Sequence, residues 1–141
     1  MSKTVHEVMH TGVEAHAPDT PIAKIAKTMK DKDVGAVPIV DKGLLVGMVT
    51  DRDIALRALA SDGDTSKLTA RDVMSKSVTC CDETDTARSA AQLMQTKRVR
   101  RLPVLSKDKK IVGMVSLGDI THAMSDEVSG QLAKAVSAHH A

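Results

Sequence analysis

Val8-Met9 returns as Val73-Met74, 65 residues later, and the same displacement runs on through the chain. It carries Val13 to Val78, Ala26 to Ala91, Met29 to Met94, Val34 to Val99 and Pro38 to Pro103. Beyond the polar loops at residues 41–43 and 106–109 it becomes 66, taking Val46-Gly47-Met48-Val49 onto Val112-Gly113-Met114-Val115 and Asp53-Ile54 onto Asp119-Ile120. A displacement that changes once, at a loop, marks a duplicated unit. Each copy has only about 60 residues, a length at which closing a core alone is marginal. The two copies are therefore expected to pack on each other with approximate twofold symmetry as one globular body.

Each copy has the same pattern. A short apolar segment near Val13 or Val78 comes first. An amphipathic helix follows over residues 21–32, with Ile22, Ile25, Ala26 and Met29 on one face. Thr20 is placed to cap it and Pro21 suits its first position. The second copy offers Ala87, Ala90, Ala91 and Met94. Two strands come next, residues 36–40 and 44–50, joined at Asp41-Lys42-Gly43, and their counterparts are 102–105 and 111–116. A closing helix starts at Asp51 and at Leu117. The polar run over 61–66 reads as the connection. The expected division is residues 1–62, a linker at 63–67, residues 68–125, and a tail over 126–141. Val128, Leu132 and Val136 recur there at helical spacing.

No Phe, Tyr or Trp is present. The core must be built from Val, Ile, Leu, Ala and the eight Met. A planar ligand would have to lie between aliphatic side chains, backbone or a guanidinium. The 20 Lys plus Arg and 18 Asp plus Glu leave a net charge of +2, so nothing points to nucleic acid or a membrane surface as partner. No apolar run approaches the ~18 residues of a membrane span. Residues 1–10 are polar and lack the apolar region of a signal peptide, so a cytoplasmic location is expected.

The strand-to-helix junctions carry the chemistry. Gly47-Met48-Val49-Thr50-Asp51-Arg52-Asp53 and Gly113-Met114-Val115-Ser116-Leu117-Gly118-Asp119 both fit Gly, two apolar residues, Ser or Thr, two free positions and Asp. Seen once, this is a capping box that satisfies free N–H groups at a helix start. Seen twice at matching places, it also fits a ligand site. A helix start favours an anion. Thr50 and Ser116 offer hydroxyls to a phosphate, and Asp53 and Asp119 offer carboxylates to a ribose diol. Each glycine lies where backbone would pass close to a ligand.

These junctions, with Val-Met at the head of each copy, Val34-Gly35-Ala36-Val37-Pro38-Ile39-Val40-Asp41 and Val99-Arg100-Arg101-Leu102-Pro103-Val104, resemble a tandem pair of CBS domains over residues 5 to 124. The resemblance implies an α/β (α+β) fold of two β-α-β-β-α repeats, packed through their sheets with pseudo-twofold symmetry and enclosing two clefts. It implies that Asp53 and Asp119 hold ribose and that Thr50 and Ser116 approach phosphate. Gly35, Ala36, Val37 and Pro38 would line one adenine slot, and Leu102 and Pro103 the other. Arg100 and Arg101 stand where the first copy has Gly35 and Ala36, so the site beside them is expected to favour a phosphorylated ligand more strongly.

Other constellations carry less. Lys97-Arg98-Val99-Arg100-Arg101 is the densest basic run, either a solvated face or a phosphate contact through Arg100 or Arg101. His6 and His10 have helical i, i+4 spacing, but two ligands do not make a metal site. The adjacent Cys80 and Cys81 give no disulfide framework, and on a strand one of the two faces the interior. The Met positions 29, 48, 94 and 114 read as core.

The expectation is a stand-alone, non-enzymatic regulatory module that binds AMP, ADP, ATP, S-adenosylmethionine or NAD between its repeats. Mg2+ is a candidate companion of the phosphates, and no other cofactor is required. The module is expected to form a homodimer and to act on a further protein. The alternative is a ligand-independent interaction module whose Ser/Thr-x-x-Asp motifs are helix caps and nothing more.

Overall fold

The computed structural model describes residues 3–61 and 63–125. The helical spacing read at Val128, Leu132 and Val136 lies outside the described residues. The fold is α+β and follows the duplication. In the first repeat, α1 (Val5–Val8) and α2 (Ile22–Lys32) precede the hairpin β1 (Ala36–Asp41) and β2 (Leu44–Thr50). The chain then enters α3 (Asp51–Asp53), which widens into π-type turns over Ile54–Leu59. A 3-10 turn (Thr65–Lys67) leads to the second repeat. That repeat holds α4 (Ala70–Val73), β3 (Cys81–Asp82), α5 (Ala87–Lys97), β4 (Arg101–Leu105), β5 (Ile111–Ser116) and a last helix, α6, over residues 117–125.

Both hairpins are antiparallel and share a register: Ala36 faces Thr50 and Arg101 faces Ser116, with one irregularity in each ladder. The first hairpin turns at Lys42 (φ 53°) and Gly43 (φ 83°), the left-handed pair that matches strand twist in a two-residue loop. β3 adds a parallel strand to the second sheet. Its counterpart in the first repeat is reduced to one bridge, His16 to Ile39, held by His16 N–H on Pro38 O and Val40 N–H on His16 O. The complete β-α-β-β-α order is thus visible in one copy and vestigial at its first strand in the other.

The cap of α2 also differs from expectation. Pro21, not Thr20, holds the N-cap position, with no side-chain bond. Thr86, which the 65-residue displacement places on Pro21, caps α5 by accepting the Ser89 N–H. The proline ring carries no hydrogen-bond acceptor to do this. The first N–H of α2, on Ile22, is satisfied instead by Leu68 O from the other repeat.

That bond is part of a reciprocal exchange. α1 opens the first repeat in sequence, yet Val5 packs with Cys81, Ala87, Ala90, Met94, Leu102, Val104, Val115 and Ile120 in the second core. α4 opens the second repeat, yet Ala70 and Val73 pack with Ile22, Ile25, Val37, Ile39 and Val49 in the first. Paired backbone bonds tie each leader down. His10 and Met114 exchange N–H···O bonds of 2.8 and 3.0 Å, and Ser75 and Met48 exchange bonds of 2.9 and 3.0 Å. Gly113 and Gly47 make room for this. A Cβ on Gly113 would stand 2.6 Å from His10 O, and one on Gly47 would run into the Met74 side chain. The motif glycines therefore serve the leader of the opposite repeat rather than the close approach of a ligand.

Candidate functional site

Thr50 and Ser116 end β2 and β5, and the helices begin at the next residue. Both junctions are capping boxes. Thr50 N–H donates to Asp53 Oδ2 (2.8 Å) and Asp53 N–H donates to Thr50 Oγ1 (3.1 Å). Ser116 N–H donates to Asp119 Oδ2 (2.9 Å) and Asp119 N–H donates to Ser116 Oγ (3.0 Å). The residue before each hairpin reaches the same junction: Asp51 N–H donates to Gly35 O and Leu117 N–H donates to Arg100 O. Each helix start is thereby fixed beside the segment that precedes the proline of its own repeat.

The clefts, however, draw on both repeats. A cavity of about 520 Å³ lies between Gly35, Ala36, Thr28 and Lys32 of the first repeat and Met114, Ser116 and Asp119 of the second, with His10–Glu14 along one side. A second, of about 400 Å³, lies between Met48, Thr50, Asp51 and Arg52 of the first repeat and Val99, Arg100, Arg101 and Pro103 of the second, closed by residues 75 and 77–79. Both volumes fall in the range of small-ligand sites. Arg101 lines both cavities.

Gly35 and Ala36 thus meet Ser116 and Asp119, whereas Arg100, Arg101 and Pro103 meet Thr50. Four expected residues, Val37, Pro38, Leu102 and Asp53, line neither cleft. Val37 and Leu102 are 1% and 0% exposed, their side chains turned into the two cores by the alternation of β1 and β4. Pro38 is equally buried. Asp53 departs in another way: it is 8% exposed and forms no part of the second cleft's lining. Its Oδ1 faces Arg57 Nε at 3.9 Å and its Oδ2 holds the cap. Arg57 in turn donates to Val73 O and Met74 O at the end of α4.

Asp119 lines the first cleft, with its Oδ1 bonded to His10 Nε2 at 2.7 Å. In the sequence His10 stands out only as a metal partner of His6. His6 instead pairs with Glu83 (3.0 Å), and no group of three or more metal-ligating side chains occurs among the described residues. His10 reaches Asp119 through the exchanged leader, which no local spacing reveals. In the second cleft the same leader position is Ser75.

The clefts also differ in charge. Arg52, Arg100 and Arg101 face the second against one carboxylate, Asp51. In the first, Lys32 and Arg101 stand among Glu14, Asp33 and Asp119. The cysteines stand apart from both. Cys81 is buried in the second core, and burial, with the charges of Asp85 and Asp82 nearby, pushes its thiol up to about 12. Cys80 is half-buried, and desolvation raises its thiol as well.

Two repeats meeting at paired strand-to-helix junctions, with a cleft on each side, define a class of tandem-repeat modules. The model of the CBS domain matches residues 5–59 and 70–126, and the chain belongs to the CBS domain family. It is 38% identical over 128 residues to the CBS domain-containing protein YhcV of Bacillus subtilis, covering 90% of each chain. Among solved structures, the CBS domain pair of protein MJ0100 in complex with 5'-methylthioadenosine and S-adenosyl-L-methionine superposes with a TM-score of 0.81. That match has 26% identity over 90% of this chain and 99% of the other. CBSX2 of Arabidopsis thaliana in complex with AMP gives 0.74, at 26% identity over 88% and 97%. No helix among the described residues is long and apolar enough to cross a membrane.

Proposed function

We propose that the chain is a non-enzymatic sensor that binds an adenine nucleotide or adenosyl ligand in the clefts between its repeats and passes its occupancy to a partner protein. The observation that carries this reading is the first cleft. One wall brings the Ser116–Asp119 junction, and the other brings the small residues Gly35 and Ala36. A helix start suits a phosphate or carboxylate through its dipole, the Asp119 carboxylate suits a ribose diol, and the small residues of the facing wall suit a flat base. The adenosyl ligands of the MJ0100 pair and the AMP of CBSX2 support the same ligand class. The second cleft, with its three arginines, favours the more phosphorylated ligand, accompanied by Mg2+ where that is a di- or triphosphate. Binding across the repeats would shift their packing and so alter an outer surface.

A specific observation favours a second reading. Both carboxylates already satisfy backbone N–H groups at a helix start, as a structural cap would. On that reading the chain is a ligand-independent interaction module.

With no Trp or Tyr, the protein barely absorbs at 280 nm, so a bound adenine stands out near 260 nm. The experiment records the spectrum of nucleic-acid-free protein and identifies by mass any small molecule released on denaturation. Adenosine ligands are then titrated by calorimetry. A retained adenine compound or saturable binding is expected. Neither, up to millimolar ligand, favours the interaction module.

A further inference from the structure

Arg101 belongs to the walls of both clefts. Its Nη1 lies over Gly35, 2.8 Å from where a Cβ would stand there, and Asp51 Oδ2 lies 3.0 Å from the same point on the side of the second cleft. The side chain is exposed, and its guanidinium has no hydrogen-bond or ion-pair partner among the described residues. Its own ladder partner is Ser116, whose junction faces the first cleft, while its neighbour Arg100 faces the second. One unengaged guanidinium thus stands between two anion-accepting junctions.

Building on the nucleotide reading, we infer that Arg101 is a phosphate ligand shared by the two clefts, and that sharing it makes them antagonistic towards phosphorylated ligands. A guanidinium presents one planar fork, which matches one phosphate bidentately. Engaged by the first phosphate, it no longer offers that fork to a second, and two phosphates drawn to one cation also repel each other. A ligand without a phosphate makes no claim on the fork, so the clefts fill independently with it. The module then reads phosphorylated and unphosphorylated adenosyl ligands differently: one of the former weakens the binding of a second, while one of each is accommodated together without penalty.

Methionine methyl NMR on the full chain tests this, because Met114 lines the first cleft and Met48 the second. AMP and adenosine serve as probes. Asp119→Asn weakens the first cleft and Ser77→Trp obstructs the second, each leaving the other open; far-ultraviolet circular dichroism verifies that both variants fold. For whichever cleft fills second with AMP in the unmodified protein, disabling its neighbour tightens the midpoint about tenfold, the scale of one charged hydrogen bond. The tightening vanishes with adenosine, and it vanishes with AMP in an Arg101→Gln background. A midpoint unmoved by disabling the neighbour, with both methyls still responding to AMP, overturns the shared arginine and leaves the nucleotide reading intact. Silence of both methyls towards AMP and adenosine overturns the nucleotide reading itself, and this inference with it.

Discussion

Asp53 and Asp119 occupy equivalent positions, yet their surroundings assign them different weights. Asp53 is buried, holds the Thr50 N–H and faces Arg57, whereas Asp119 lines a cleft and is bonded to His10. Removing the Asp53 carboxyl leaves the half-buried Thr50 N–H without its acceptor, a loss of about 1–3 kcal/mol, while the exposed Arg57 keeps its bonds to Val73 O and Met74 O. Asp53→Ala should therefore lower the urea midpoint clearly, and a midpoint equal to the unmodified protein's would show the cap to be redundant. Cys81 links stability to pH. Its folded thiol sits near 12 against 9.0 when unperturbed. Below pH 9 it is protonated in both states and has no effect. Between 9 and about 12 the unfolded thiol ionises first, so its contribution to stability is lost as pH rises. The unmodified protein should lose more stability from pH 8.5 to 11 than Cys81→Ala does, measured by urea unfolding; equal losses would contradict it. Residue types were legible where the backbone imposes them, as at both capping boxes. The contact of His10 with Asp119 was not, because the two come from elements distant in sequence.

At the scale of elements, the exchanged leaders decide how the repeats hold together. α1 has only four residues and would not be stable alone. It persists because Val5 is fully buried in the second core, a burial worth about 1.5–3 kcal/mol. Val5→Ala should cost about 1–2 kcal/mol in urea unfolding. Hydrogen exchange should rise first at β4 and β5, across the chain from the substitution. Loosening confined to α2, β1 and β2 would contradict the exchange. The 65-residue displacement made both leaders legible as equivalent, Val8-Met9 with Val73-Met74, but said nothing of which core each enters. The motif glycines show the same gap. Their spacing was visible, but the group they admit, the opposite leader's backbone and methionine, is a tertiary fact. The first strand near Val13 faded to the His16 bridge, while its counterpart survived as Cys81–Asp82.

For the whole molecule, duplication made the α+β architecture legible, since a pattern of apolar spacing repeated in order leaves few ways to bury both copies. The clefts were only half legible: each motif was visible, but its partner wall belongs to the other repeat. Leu56 and Leu59 remain 54% and 68% exposed on the turns after α3, an apolar surface that a second copy would cover. We expect a dimer, with light scattering giving twice the 15.0 kDa of one chain and Leu59→Glu shifting it to the single mass. A 15.0 kDa species alone at micromolar protein would contradict this. The central claim, that the cleft between Gly35-Ala36 and Ser116-Asp119 reads an adenosine ribose, is tested most directly by calorimetry. Adenosine and 2',3'-dideoxyadenosine are titrated into the unmodified protein and into Asp119→Asn. A lost charged bond is worth about 1.5–3 kcal/mol, or roughly 10- to 150-fold in affinity. The account predicts that the dideoxy ligand binds the unmodified protein weaker by that factor at this cleft, and that the preference collapses in Asp119→Asn. Equal binding of both ligands, or a preference that survives the substitution unchanged, would contradict it.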